Sequence, residues 1–280
     1  MSTSTQSPPR WKPYVTHDPI PGLRRLKLVV EYDGAPFHGW QKQVEQNIPT
    51  VEGALEEAFT RLTDGTAPVD LVGAGRTDSG VHAKGMVCHL DTFQTIPLNK
   101  IQTGLNRFLP DSVAVRHIAE VDQNFHARYS CRWRGYEYLI FNRHVRSPLW
   151  AGRATHIRGA LNLEKMQAAA EVLTGTHDFA AFRSSACGAK NTITTLHRLT
   201  LSQPAENVLC LQVEGATFLH NMVRIIAGTL VAVGRGRMTV EDVRQLLLSG
   251  DRTAAGPTLG PEGLYFTQAD YPAVPPQPQA

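Results

Sequence analysis

Leu26, Leu28, Val30 and Tyr32 alternate with Lys27 and Glu31, which is the period of a strand with one face in a core. Asp33-Gly34 then turns the chain. Thr50 is placed to cap a helix whose apolar stripe is Val51, Leu55, Ala58, Phe59 and Leu62. Strands are expected at about 69–73 and 85–91, on either side of a glycine-rich stretch. Leu98, Ile101, Leu105 and Leu109 mark a second helix stopped by Pro110, and Ser112 to Ile118 reads as a strand. The order is β-α-β-β-α-β, the ferredoxin-like split unit.

The second half repeats that order without clear sequence identity to the first. Residues 132–142 form an aromatic strand, and Leu163, Met166, Ala170 and Leu173 a helix ending at Gly175. Strands follow at about 192–202 and 207–216. A long helix is expected over about 218–233, with Leu219, Met222, Val223, Ile226 and Leu230 as its stripe. Another runs from Thr239 to Gly250, and Leu264 to Gln268 makes a last strand. The expected fold is α+β, with two ferredoxin-like halves (23–124 and 125–271) sharing one broad, mixed, mainly antiparallel sheet with a cleft where they meet. Residues 1–22, with five prolines, and 272–280 read as flexible tails.

Composition changes this picture little. A chain of 280 residues, 42% hydrophobic and 19% charged, is an ordinary globular protein. No apolar run approaches the roughly 18 to 20 residues that span a bilayer, and the N-terminus has no basic-then-apolar signal pattern. Cys88, Cys131, Cys187 and Cys210 are scattered, which argues for a reducing cytoplasm and against a zinc knuckle or disulfide framework. The net charge of +3 is mild, but its distribution is uneven.

Chemistry concentrates in Gly73-Ala-Gly-Arg-Thr-Asp-Ser-Gly-Val-His-Ala-Lys-Gly85. Four glycines in thirteen residues allow tight turns and close approach to another molecule. In an extended chain Arg76 and Asp78 share a face. A cation beside a carboxylate favours the ionised form, which a carboxylate nucleophile or base requires. A glycine-rich hairpin with a surface ion pair fits the same spacing.

From His126 to Arg146 there are five arginines (128, 132, 134, 143, 146) and one acid, Glu137, a local charge of +4. Tyr129, Trp133, Tyr136 and Tyr138 are interleaved, and on a strand Arg132, Arg134, Tyr136 and Tyr138 share a face. Cations for phosphates beside rings for unstacked bases suit single-stranded RNA; a solvated basic edge is the alternative. Arg224 lies within an apolar helical segment, where a guanidinium needs a carboxylate or phosphate; a structural ion pair would also satisfy it. His82 and His89 have neither helical metal-ligand spacing nor an accompanying carboxylate in sequence, and His126 reads as structural. No phosphate loop, nucleophile elbow or dinucleotide fingerprint occurs, so no metal or cofactor is expected.

Gly75-Arg-Thr-Asp-x-Gly-Val-His-Ala83 resembles the signature of the TruA family of tRNA pseudouridine synthases. Three more stretches resemble that family's motifs in the same order: Glu31 to Gln41, Phe125 to Ser130, and Met222 to Leu230 followed by Glu262-Gly-Leu-Tyr265. The resemblance covers roughly residues 24–270. It implies a pseudouridine synthase fold, an isomerase needing no cofactor, and a homodimer acting on uridines 38, 39 and 40 of the tRNA anticodon stem-loop. It implies Asp78 as the catalytic carboxylate and Tyr136 as the ring against the target base. Arg224 would reach Asp78 from the other half, Arg76 would hold the displaced strand or its phosphate, and Leu264 would line the base pocket, though a core leucine explains that position almost as well. Two departures stand out: Gly135, where many members carry a larger residue, and Leu259-Gly260, in place of a small residue and proline. The rival readings are a non-catalytic RNA-binding protein of paired RRM-like units, and a hydrolase or transferase with an Asp nucleophile.

Overall fold

The alternation that opens the chain becomes the first strand of the sheet. In β1 (Arg24–Tyr32), Leu26, Leu28, Val30 and Tyr32 all point into the core and are at most 3% exposed. Removing one of these side chains to Ala would cost about 2–5 kcal/mol, the usual range for a buried leucine. The computed structural model describes residues 18–43, 48–65, 69–185 and 187–272.

The first half continues with α1 (Val51–Leu62), β2 (Leu71–Gly73), β3 (His82–Thr92), α2 (Leu98–Phe108) and β4 (Val113–Val121). The second consists of β5 (Trp133–Asn142), β6 (Thr155–Ile157), α3 (Leu163–Leu173), β7 (Gly175–Asp178), β8 (Ile193–Ala205), β9 (Val208–Gly215), α4 (Met222–Gly234), α5 (Val240–Ser249) and β10 (Leu264–Asp270). Thr50 Oγ1 accepts from the Gly53 amide, which is the N-cap that the sequence placed there. Thr239 and Asp242 close a reciprocal capping box on α5.

The ten strands among the described residues join one sheet in the order β4-β1-β3-β10-β5-β9-β8-β7, with β2 also on β3 and β6 also on β5. Each half contributes the ferredoxin-like order: β4-β1-β3-β2 and β10-β5-β9-β8. The β10–β3 and β5–β6 ladders are parallel and the rest antiparallel, so the sheet is mixed and mainly antiparallel as expected. The halves meet on one edge of β3. There β10 pairs at His82 and Ala83, while β2 pairs at Cys88 to Leu90. One edge can be paired only once, so β2 stops at Gly73 and the chain loops over 74–81 before returning as β3. That loop is the glycine-rich stretch, at the fork between the halves.

Three features depart from the sequence reading. Helix α4 starts at Met222, not near 218, because Asn221 takes the left-handed conformation (φ 62°) and interrupts the helical path. Phe218 and Leu219 therefore belong to a connection rather than to the helix stripe. Strands β6 and β7 were not expected; at three and four residues they are too short to show a period. Residues 18–22, read as tail, include Ile20, whose amide donates to Gln123 Oε1 (2.7 Å) and whose carbonyl accepts from Gln123 Nε2 (3.0 Å). The rest of the tail readings, 1–17 and 273–280, lies outside the described residues.

Candidate active site

The glycine-rich loop is held from below by the segment after β1. Tyr32 OH and Thr77 Oγ1 share a buried hydrogen bond of 2.8 Å. The Trp40 amide donates to the Thr77 carbonyl (3.0 Å), and the Gly80 amide to the Phe37 carbonyl (3.2 Å). Two glycines make this approach possible. A Cβ at Gly34 would lie 2.0 Å from the Val81 oxygen, and one at Gly39, where φ is 97°, would lie 2.5 Å from the Thr77 oxygen. The Glu31–Gln41 stretch is thus a sleeve that fixes the backbone on both sides of Asp78.

Asp78 faces the second half across the fork, with its side chain 35% exposed. His220 Nε2 lies 3.4 Å from Oδ1, and Arg224 Nη1 lies 3.9 Å from Oδ2. Arg224 is largely buried, and two of its nitrogens are hydrogen-bonded: Nε donates to the Leu259 carbonyl and Nη1 to Asn221 Oδ1, both at 2.7 Å. These bonds offset the cost of desolvating the guanidinium and aim it. The departure at 259–260 therefore does bear on the site, but only through main-chain atoms, since the Gly260 carbonyl likewise accepts from Tyr138 OH (2.7 Å). Any side chain can supply a carbonyl.

Around these groups is a cavity of ≈1350 Å³. Its apolar wall includes Tyr136, Phe218, Val223 and Leu264; its polar wall includes Gln41, Lys42, Glu52, Arg76 and Arg128. Phe218 and Phe266 meet the Tyr136 ring edge-on, at centroid distances of 4.8 and 5.2 Å, fixing its plane. Burial pushes the Tyr136 hydroxyl up to about 12, so it stays protonated at neutral pH. Burial also raises the Glu52 carboxyl, against the opposing effect of the Lys42 amide that donates to it (2.6 Å).

The expected residues separate into three groups. Asp78, Tyr136, Arg76, Arg224, Arg134 and Leu264 all line or face the cavity. Arg76 is exposed and, among the described residues, forms no ion pair; its expected pairing with Asp78 fails because 74–81 is a loop rather than an extended strand. Arg132 lies outside the cavity lining, with Nε bound to Asp270 Oδ2 (2.6 Å). Tyr138, expected on the same basic face, is fully buried and hydrogen-bonded to Thr155 (2.6 Å). Gly135 faces away from the cavity, at the bulge in β10: a Cβ there would lie 2.8 Å from Thr267 Oγ1. It allows close packing at the seam.

The histidines also sort themselves. His126 Nδ1 accepts from the amides of Arg128 and Tyr129 (3.2 and 3.1 Å), which makes it a turn cap. His89 is buried and pushed down to about 4, mainly by desolvation. His82 Nδ1 accepts from the Gly34 amide (3.0 Å) and lies 3.0 Å from Asp33 Oδ1, a carboxylate distant in sequence. His220 was missed altogether; its four-residue spacing from Arg224 was no guide, because Asn221 breaks the helical path between them.

A tRNA pseudouridine synthase family model matches residues 28–130 and 169–272, on both sides of the cavity. The chain belongs to this family. Enzymes of the family are isomerases. Curated relatives named tRNA pseudouridine synthase A agree along the chain. The protein of Rhodospirillum centenum is 46% identical over 250 residues, covering 89% of this chain and all of that one. The Acetivibrio thermocellus protein is 43% identical over 249 residues, with 89% and 100% covered. That of Pseudoalteromonas atlantica is 44% identical over 248 residues, with 89% and 92% covered. In this pseudouridine synthase Arg76 and Asp78 fall in the first matched segment and His220, Arg224 and Leu264 in the second. Arg132, Arg134 and Tyr136 lie in the stretch between the two segments.

Proposed function

We propose that the chain isomerises uridine to pseudouridine at positions 38, 39 and 40 of the tRNA anticodon stem-loop, with Asp78 as the reacting carboxylate and no cofactor. The supporting observation is the cavity itself, in which a carboxylate on one half faces a guanidinium and an imidazole on the other, beside an apolar wall that includes the Tyr136 ring and Leu264. The reaction breaks C1′–N1, forms C1′–C5, releases the C5 proton and protonates N1, with no net redox change. The target nucleotide must leave its stack at a cost of a few kcal/mol. Tyr136 and Leu264 supply the surface that receives the base, and Arg76 and Arg128 at the rim supply cations for the backbone. Asp78 then attacks the nucleotide or removes a ribose proton. We also propose a homodimer in the cytoplasm. No helix among the described residues is long and apolar enough to cross a membrane.

The test uses tRNA transcripts tritiated at C5 of uridine, in which uridine is kept at only one of positions 38, 39 or 40 within the hairpin. Label should reach water from each of the three. No release from any of them, or equal release after all three are replaced by cytidine, would overturn the assignment.

For Arg134, expected to bind RNA, we propose a bracing role. Its guanidinium donates to three main-chain carbonyls: Ala74 (2.8 Å), Arg128 (3.0 Å) and Ala216 (3.2 Å). It therefore ties the base of the glycine-rich loop to two other cavity segments. Arg134→Gln should lower stability by about 1–3 kcal/mol, because carbonyls lose their donors. It should lower kcat while leaving the salt dependence of tRNA binding intact. Loss of a phosphate contact would instead flatten that dependence by about one unit of slope. Melting curves and a salt titration of tRNA affinity distinguish the two.

A further inference from the structure

A ring in contact with the Asp78 carboxylate belongs to His220, which no motif had marked. The guanidinium and the imidazole address different oxygens of one carboxylate, and both come from a single turn of the opposite half. Asn221 makes this possible. Its left-handed backbone sets His220 just outside α4 while Arg224 sits in the first turn, and its Oδ1 accepts from Arg224 Nη1 (2.7 Å). Asparagine is one of the few residues besides glycine that adopts that conformation readily. The His220 carbonyl accepts from the Ser184 amide (3.0 Å), so its main chain is anchored while its ring, 41% exposed, lines the cavity.

We propose that His220 is a positioning residue for the isomerisation, holding Asp78 Oδ1 so that the carboxylate cannot rotate about its Cβ–Cγ bond. This rests on Asp78 being the reacting group. Arg224 alone cannot do it: at 3.9 Å it lies beyond hydrogen-bond distance and supplies charge rather than direction. His220 Nε2 at 3.4 Å needs only a small side-chain movement to donate a directional bond to Oδ1. With one oxygen facing the ring and the other facing the guanidinium, rotation of the carboxylate would break both contacts. A carboxylate set in its reactive orientation before substrate arrives lowers the barrier without strengthening substrate binding.

The experiment compares His220→Ala, His220→Gln and Asp78→Asn with wild type, using single-turnover tritium release and tRNA affinity across a salt series. A glutamine amide places an N–H close to where Nε2 lies. His220→Ala should lower kcat by about 10- to 100-fold with KM within about threefold, the pattern of an interaction that matters only in the transition state. His220→Gln should recover to within about threefold of wild type, because the hydrogen bond is restored. Melting temperatures should match wild type for both. Three results would overturn the proposal: unchanged kcat in His220→Ala, no rescue by glutamine, or a raised KM with flattened salt dependence, which marks a phosphate contact. Asp78→Asn separates the failures. If it retains activity, the carboxylate reading falls and this proposal with it; if it is inactive while His220→Ala is as fast as wild type, only the role of His220 falls.

Discussion

Asp78→Asn is expected to abolish tritium release, by at least about 10⁴-fold, while leaving the fold and tRNA affinity in place. The size follows from the chemistry, since an amide of the same shape neither attacks a sugar carbon nor accepts a ribose proton at neutral pH. Stability should change by no more than about 0.5 kcal/mol. Asp78 is one-third exposed, and its two neighbours at 3.4 and 3.9 Å are looser than hydrogen-bonded ion pairs. The cations left behind are not stranded, because Arg224 keeps its bonds to Leu259 and Asn221 and His220 keeps contact with solvent. Binding should hold or tighten slightly, as one negative charge facing the RNA is gone. The rival readings predict different results. A paired RRM-like protein would bind tRNA and release no label even as wild type. A small-substrate enzyme would show little loss of activity as salt rises, whereas RNA binding weakens steeply.

How much of this site could be read beforehand depends on what kind of atom does each job. Side-chain periodicity located most of the regular elements, because burial on one face leaves a period in the sequence. The motifs carried Asp78, Arg224 and Leu264, and the resemblance added Tyr136; all four line or face one cavity. What escaped was work done by main-chain atoms and by distant pairing. The position of β10 against β3 depends on contacts between Tyr265 and His82, which lie far apart in the chain, and no local pattern encodes that. The acceptors of Arg134 and Arg224 are mostly carbonyls, which every residue carries, so the sequence could not distinguish a brace from a phosphate ligand. The Arg76–Asp78 pairing assumed an extended chain, whereas the edge of β3 that this stretch would have extended along is already shared by β2 and β10. His220 was hidden by a single left-handed residue, which moved it from an expected helix into the cavity.

Arg224→Gln should be the most damaging change away from Asp78, and Arg224→Lys separates its two functions. The guanidinium is 16% exposed and bridges the Leu259 carbonyl and the Asn221 side chain while facing Asp78. Glutamine is shorter and neutral. It leaves at least one partly buried acceptor without its donor, at a cost of about 1–3 kcal/mol in stability. It also removes the charge opposite the carboxylate. Two unit charges about 4 Å apart near a protein surface attract by up to about 4 kcal/mol, which the partial exposure of Asp78 reduces. Losing a preorganised charge of this kind should lower kcat by about 10²- to 10³-fold. Lysine keeps the charge but lacks the planar fork, so it should recover more of the rate than of the stability. Thermal melting with single-turnover kinetics on all three proteins checks this. A glutamine variant that melts early but reacts at the wild-type rate would mean that Arg224 only braces α4 against residue 259. A rate that follows charge across Arg, Lys and Gln, independently of melting temperature, would mean that it acts on Asp78.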